Sequence, residues 1–158
     1  MSLIEGETDV AAIFSNVSAL LNQCLDNINW VGFYLLNDNE LVLGPFQGNV
    51  ACYRIPVGTG VCGTAMLQNK SQCVADVHQF PGHIACDSAS QSELVVPISV
   101  GGVPVGVLDI DSPSTNRFNH HDVSGMELLI GSLGRYLDSV LQNTNVLKSS
   151  CSYPNLGK

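Results

Sequence analysis

The chain has 158 residues, 45% of them apolar and 13% charged, which is enough to bury a sizeable core and excludes a disordered chain. Its formal net charge of −8 sets 14 acids against six Lys and Arg. Those six are not clustered, which excludes a binder of nucleic acid or of an anionic membrane and favours a small substrate carrying a positive group.

No apolar run reaches transmembrane length, and the acidic start, MSLIEGE, lacks the basic and apolar pattern of a signal peptide. A cytoplasmic protein is therefore expected. Residues 9–26 place Val10, Ile13, Phe14, Val17, Leu20, Leu21, Cys24 and Leu25 at the spacing of an amphipathic helix, capped by Thr8 or Asp9. Residues 28–36 are rich in aromatic and branched side chains and predict a strand. A turn at 37–39 leads to a partner strand over 41–45, Gly48 breaks the run, and 51–55 predicts a shorter strand carrying Cys52. After a loop punctuated by Gly58 and Gly60, residues 61–68 predict a short helix with Cys62 in its first turn, where the helix dipole lowers a thiol pKa.

Residues 72–75 predict a brief strand, followed by a long loop over 76–92 that holds His78, His83 and Cys86. A loop of that length inside a domain is usually functional. Residues 92–100 and 103–111 predict a hairpin of two buried strands around Gly101-Gly102. A Ser/Thr/Asn/Pro loop follows, then a last helix capped by Asn119 and a polar tail from 143. No repeat or linker divides the chain, so one domain over 1–158 is expected, with its core at about 4–142. The fold expected is α+β, a central antiparallel sheet of five to six strands with the first and last helices packed on one face.

The hairpin brings its far ends together, so Glu93 is expected close to Asp109 and Asp111 with the Cys86 loop beside them. Asp109 and Asp111 alternate with Ile110 and share a face; Trp30 and Tyr34, four apart on a strand, also share one. The six cysteines contain no Cys-X-X-Cys, and no His-X3-His accompanies them, so no structural metal site is expected and redox chemistry is the better reason for them. Cys24 and Cys73 read as small core residues, and Cys151 as an exposed bystander. None of the four histidines receives a role.

These residues resemble the free methionine-(R)-sulfoxide reductase family of GAF-type domains. The resemblance lies in IEGETD (4–9), NWVGFY (29–34), LGPFQG (43–48), IPVGTGVCGTA (55–65), FPGHIACDSASQSELVVP (80–97) and GVLDIDSP (106–113). It implies a single GAF-like domain with redox cysteines at Cys52, Cys62 and Cys86. It also implies substrate-contacting acids at Glu93, Asp109 and Asp111, and an aromatic wall at Trp30 and Tyr34. The expected reaction is reduction of free methionine-R-sulfoxide. Cys86 attacks sulfur, a carboxylic acid such as Glu93 protonates the oxygen, and Cys86 is left as a sulfenic acid. Cys52 or Cys62 then closes a disulfide, which thioredoxin, fed ultimately by NADPH, reduces again. Cys62 is the alternative first nucleophile. No cofactor is expected to be bound, and the resemblance implies a homodimer. The competing expectation is a GAF module that binds a small molecule, or senses redox state, without catalysis.

Overall fold

The computed structural model describes the backbone of residues 2–82 and 88–150, and side chains as far as 142. In chain order come α1 (Val10–Cys24), β1 (Trp30–Asn37), β2 (Glu40–Gly48), β3 (Arg54–Pro56), α2 (Gly60–Gln68), β4 (Gln72–Val74), β5 (Ser92–Val100), β6 (Val103–Ser112) and α3 (His120–Ser150). The six strands form one sheet in the order β3-β2-β1-β6-β5-β4, with every neighbouring pair antiparallel. This is the α+β architecture expected.

Period-two alternation divides the sheet into two faces. Val31, Phe33, Leu94, Val96, Leu108 and Ile110 bury against Ile13, Phe14, Val17 and Leu21 of α1 and Ile130, Leu133 and Leu137 of α3. Both terminal helices therefore share one face. Trp30, Tyr34, Leu41, Val95 and Val107 point the other way, where α2 covers them with Val61, Cys62, Ala65 and Met66. The candidate site lies on this second face.

Local chemistry sets the element ends. Asp9 caps α1 by accepting from the Ala12 N–H at 2.9 Å, and Asn119 caps α3 by accepting from the His121 N–H at 2.8 Å. Gly101 and Gly102 take φ of +58° and +81°, the pair of left-handed residues that a two-residue hairpin turn requires. Among the described residues no helix is long and apolar enough to cross a membrane.

Several local expectations need correction. β2 runs on through Gly48, and Cys52 lies in the 49–53 loop, because β3 pairs only Arg54, Ile55 and Pro56 with Val42, Leu41 and Glu40. Cys24 is exposed rather than core, since it is the last residue of α1 and lies past Leu21, the last buried residue of that helix. Cys73 is exposed too, because β4 is a three-residue edge strand with one flank open. The last helix does not stop near 143 but continues to Ser150. Cys151 lies outside the described residues.

Candidate active site

Sheet register assembles the acids. Asp111 of β6 sits between Trp30 of β1 and Glu93 of β5, while Asp109 stands between Gly32 and Val95. Glu93 and Asp109 are each 6% exposed, an unusual place for two carboxyls. Cys62, in the first turn of α2, comes down on them from above the sheet. Its Sγ lies 3.8 Å from Glu93 Oε1, and one ligand atom each from Cys62, Glu93 and Asp109 falls within 4.8 Å of the other two. The close descent of α2 depends on Gly63, where a Cβ would stand 2.4 Å from the Pro56 carbonyl oxygen.

The aromatic wall is present and larger than expected. Trp30 and Tyr34 stack with centroids 5.8 Å apart, and Phe46 also stacks on Trp30, at 5.2 Å. Phe46 was not among the residues singled out from the sequence. The signal for it is Gly32, its direct partner in the register: a Cβ on Gly32 would lie 2.3 Å from that of Phe46 and 2.7 Å from the Trp30 ring.

The wall also holds the loop that carries Cys52. The Trp30 indole donates to the Asn49 carbonyl and the Tyr34 hydroxyl to the Cys52 carbonyl, each at 3.1 Å. Two backbone acceptors of the 49–53 loop thus bond to buried side chains rather than to a neighbouring strand, which is why no strand forms there. Cys52 is disulfide-bonded, whereas Cys24, Cys62 and Cys73 are free. Its partner lies outside the described residues, as do Cys86 and His83.

Crowding controls the proton inventory. Burial raises the Glu93 pKa well above the usual carboxylate range, with Asp109 and Asp111 adding to the effect. Burial also raises Asp109, to about 6, against hydrogen bonds from Cys62 and Glu93 that pull it down. The Cys62 thiol is pushed well up by its burial and then by Asp109 and Glu93. This corrects the expectation that the helix start activates Cys62: loss of solvent and neighbouring acids outweigh the dipole. Burial and crowding thus favour the protonated forms of Glu93 and Cys62, while hydrogen bonds ease the charged form of Asp109. One Asp109 oxygen, Oδ1, is buried without a hydrogen-bond partner among the described residues.

The site can present a proton from Glu93, an acceptor at Asp109 and an apolar wall to one small molecule. The described histidines stand apart from it. His78 pairs with Asp76 at an exposed position, and His120 and His121 stack on each other at the exposed start of α3.

Comparison with known proteins gives concordant findings. The GAF domain family matches residues 7–138. The chain is 54% identical over 136 residues to the free methionine-R-sulfoxide reductase of Escherichia coli, a match covering 86% of this chain and 82% of that one. The structure of fRMsr of Staphylococcus aureus in complex with substrate superposes with a TM-score of 0.82 at 57% identity, covering 86% of this chain and 89% of the other. That of the free methionine-R-sulfoxide reductase from Neisseria meningitidis with its substrate gives 0.86 at 42%, covering 90% and 86%.

Proposed function

Because the chain belongs to the GAF-type free methionine-R-sulfoxide reductase family, we propose that it reduces free methionine-R-sulfoxide to methionine. The observation that carries the reading is the buried group formed by Glu93, Asp109 and Cys62 beside the stacked Trp30 and Tyr34, with the Glu93 pKa raised by burial and one Asp109 oxygen unpartnered among the described residues.

Sulfoxide reduction needs a soft nucleophile at sulfur and a proton for the departing oxygen. Glu93, held in its acid form by burial and by Asp109, is the proton donor. Trp30 and Tyr34 receive the methyl and thioether carbons. Asp109 and Asp111 receive the ammonium group, which only a free amino acid offers; a methionine within a protein chain has none.

Cys86 is the proposed nucleophile, because Cys62 is buried among acids and holds its proton. The Cys86 thiolate bonds to the sulfoxide sulfur while the oxygen takes the Glu93 proton. The hydroxyl then passes to the Cys86 sulfur as the S–O bond and the new S–S bond break, so that methionine departs with its sulfur reduced and Cys86 is left oxidised as a sulfenic acid. The Cys52 thiol then attacks the sulfenic sulfur and expels water, closing a Cys52–Cys86 disulfide. The disulfide state of Cys52 supports this assignment of the resolving thiol over Cys62. Thioredoxin, recharged from NADPH, returns the pair to thiols by exchange. No bound cofactor enters the scheme, which suits a reducing, cytoplasmic setting. A homodimer is also proposed, docked through the apolar groove between α1 and α3 that Val10, Val140 and Leu141 line.

The test is methionine release from the R and S forms of free methionine sulfoxide, measured separately, with thioredoxin, its reductase and NADPH. Turnover of the R form alone is expected. No turnover of either form by protein with reduced, accessible thiols would leave a GAF ligand-binding or redox-sensing module.

A further inference from the structure

The sequence carries no spaced metal motif, because the groups concerned come from three separate elements. Cys62 is on α2, Glu93 on β5 and Asp109 on β6. Folding brings a thiol and two carboxyls together, all buried, with one ligand atom from each inside a 4.8 Å span. Cys62 and Glu93 hydrogen-bond to the Asp109 carboxyl, yet Asp109 Oδ1 is buried with no partner among the described residues. A buried carboxylate oxygen without a partner, on a side chain that reaches a group of acids and a thiol, is an acceptor that a cation would complete.

We propose that Cys62, Glu93 and Asp109 bind a thiophilic divalent cation, zinc(II) fitting best, and that metal and sulfoxide substrate exclude one another. The donor set of one sulfur and two oxygens suits zinc better than magnesium or calcium, which take oxygen alone. Zn–S and Zn–O bonds of about 2.3 and 2.1 Å in a tetrahedron separate sulfur from oxygen by about 3.6 Å. Cys62 Sγ and Glu93 Oε1 already stand 3.8 Å apart. Binding forms one Zn–S and two Zn–O bonds, releases the Cys62 and Glu93 protons to solvent, and leaves the fourth position to water. It changes no oxidation state. The metal removes the acid proton and fills the acceptor that the proposed substrate needs. Mutual exclusion therefore rests on the reductase reading, while metal binding does not.

The experiment uses the full chain with the Cys52 disulfide intact, so that Cys52 offers no thiolate. Cobalt(II) is titrated in as a spectroscopic stand-in and then displaced with zinc(II). The expected result is a near-ultraviolet thiolate-to-cobalt band that saturates at one equivalent and is bleached by zinc. Cys62→Ala should abolish it, Glu93→Gln should weaken affinity at least tenfold, and Cys24→Ser and Cys73→Ser should leave it unchanged. Circular dichroism of each variant separates loss of a ligand from loss of the fold. No band, or a band that survives in folded Cys62→Ala, overturns the metal site. In the second arm zinc(II) is expected to raise KM for free methionine-R-sulfoxide with kcat unchanged. Cobalt binding together with substrate-independent inhibition overturns the exclusion. Cobalt binding in a protein that turns over no sulfoxide overturns the reductase reading and leaves the metal site standing.

Discussion

Tyr34 and Cys52, eighteen residues apart in sequence, are joined by a 3.1 Å hydrogen bond from the phenol hydroxyl to the cysteine carbonyl. One face of the Tyr34 ring stacks on Trp30, while its hydroxyl bonds to the backbone of the disulfide-bonded Cys52. Tyr34→Phe keeps the ring and removes the strut. It is expected to cost about 1 kcal/mol in urea unfolding and to make the Cys52 disulfide several-fold easier for dithiothreitol to reduce, since the loop no longer holds Cys52 in place. A disulfide equilibrium equal to that of the parent would show that the bond does not position Cys52.

Glu93→Gln tests the proton donor. The amide has the carboxyl's shape and offers no acid proton, so kcat on free methionine-R-sulfoxide is expected to fall by roughly 10² or more. Steady-state kinetics measure it, and a variant within threefold of the parent would move the donor role elsewhere in the acid group.

The buried acids also set a pH dependence of stability. Asp109 has its pKa raised from 3.8 to about 6 in the folded protein, and Glu93 lies well above 4.5. Each binds its proton more firmly folded than unfolded. Their contribution is therefore fully present below about pH 4 and is lost as pH rises through about 6 for Asp109 and through the raised value of Glu93. The melting temperature is expected to be higher at pH 5 than at pH 7.5, with a shallower difference in Glu93→Gln. Equal slopes in parent and variant would show that Glu93 is not the group responsible.

Gly63→Ala forces a methyl group to within 2.4 Å of the Pro56 carbonyl oxygen, a backbone atom that cannot swing aside. The helix has to lift, and Cys62 lifts with it. A stability loss of about 1–3 kcal/mol is expected from denaturant unfolding, together with a fall in activity larger than that of an alanine placed at exposed, unobstructed Gly125.

Cys24 and Cys73 are free and exposed, and neither belongs to the site. Cys24→Ser and Cys73→Ser are each expected to change stability by less than about 0.5 kcal/mol and to leave turnover unchanged. Loss of turnover in either would widen the redox set beyond Cys52, Cys62 and Cys86.

Much of the site was legible because it follows from local rules. Alternation along β1 and β6 puts Trp30 with Tyr34 and Asp109 with Asp111, and the Gly-Gly turn folds β5 back onto β6; the one-residue register shift between Ile98 and Ser99 that sets Glu93 opposite Asp111 was visible only in the structure. Helical and strand periodicity likewise pointed to five to six antiparallel strands with the terminal helices on one face, and the sheet has six. Alternation and periodicity are properties of successive residues, so the sequence alone specifies them.

Other features were decided only in three dimensions. Cys24 and Cys73 satisfy the apolar pattern yet face solvent, because burial depends on where the helix and the sheet end. Cys52 left its expected strand because two aromatic side chains claimed the backbone acceptors of its loop. Cys62 sits where the helix dipole favours a thiolate, but the tertiary structure drives it against Glu93 and Asp109 and away from water. A pKa depends on every charge within a few ångströms and on lost solvent, and neither is a function of sequence neighbours. The sequence thus determined which chemical groups share a face, and the packing of α2 onto that face decided which of them keep a proton.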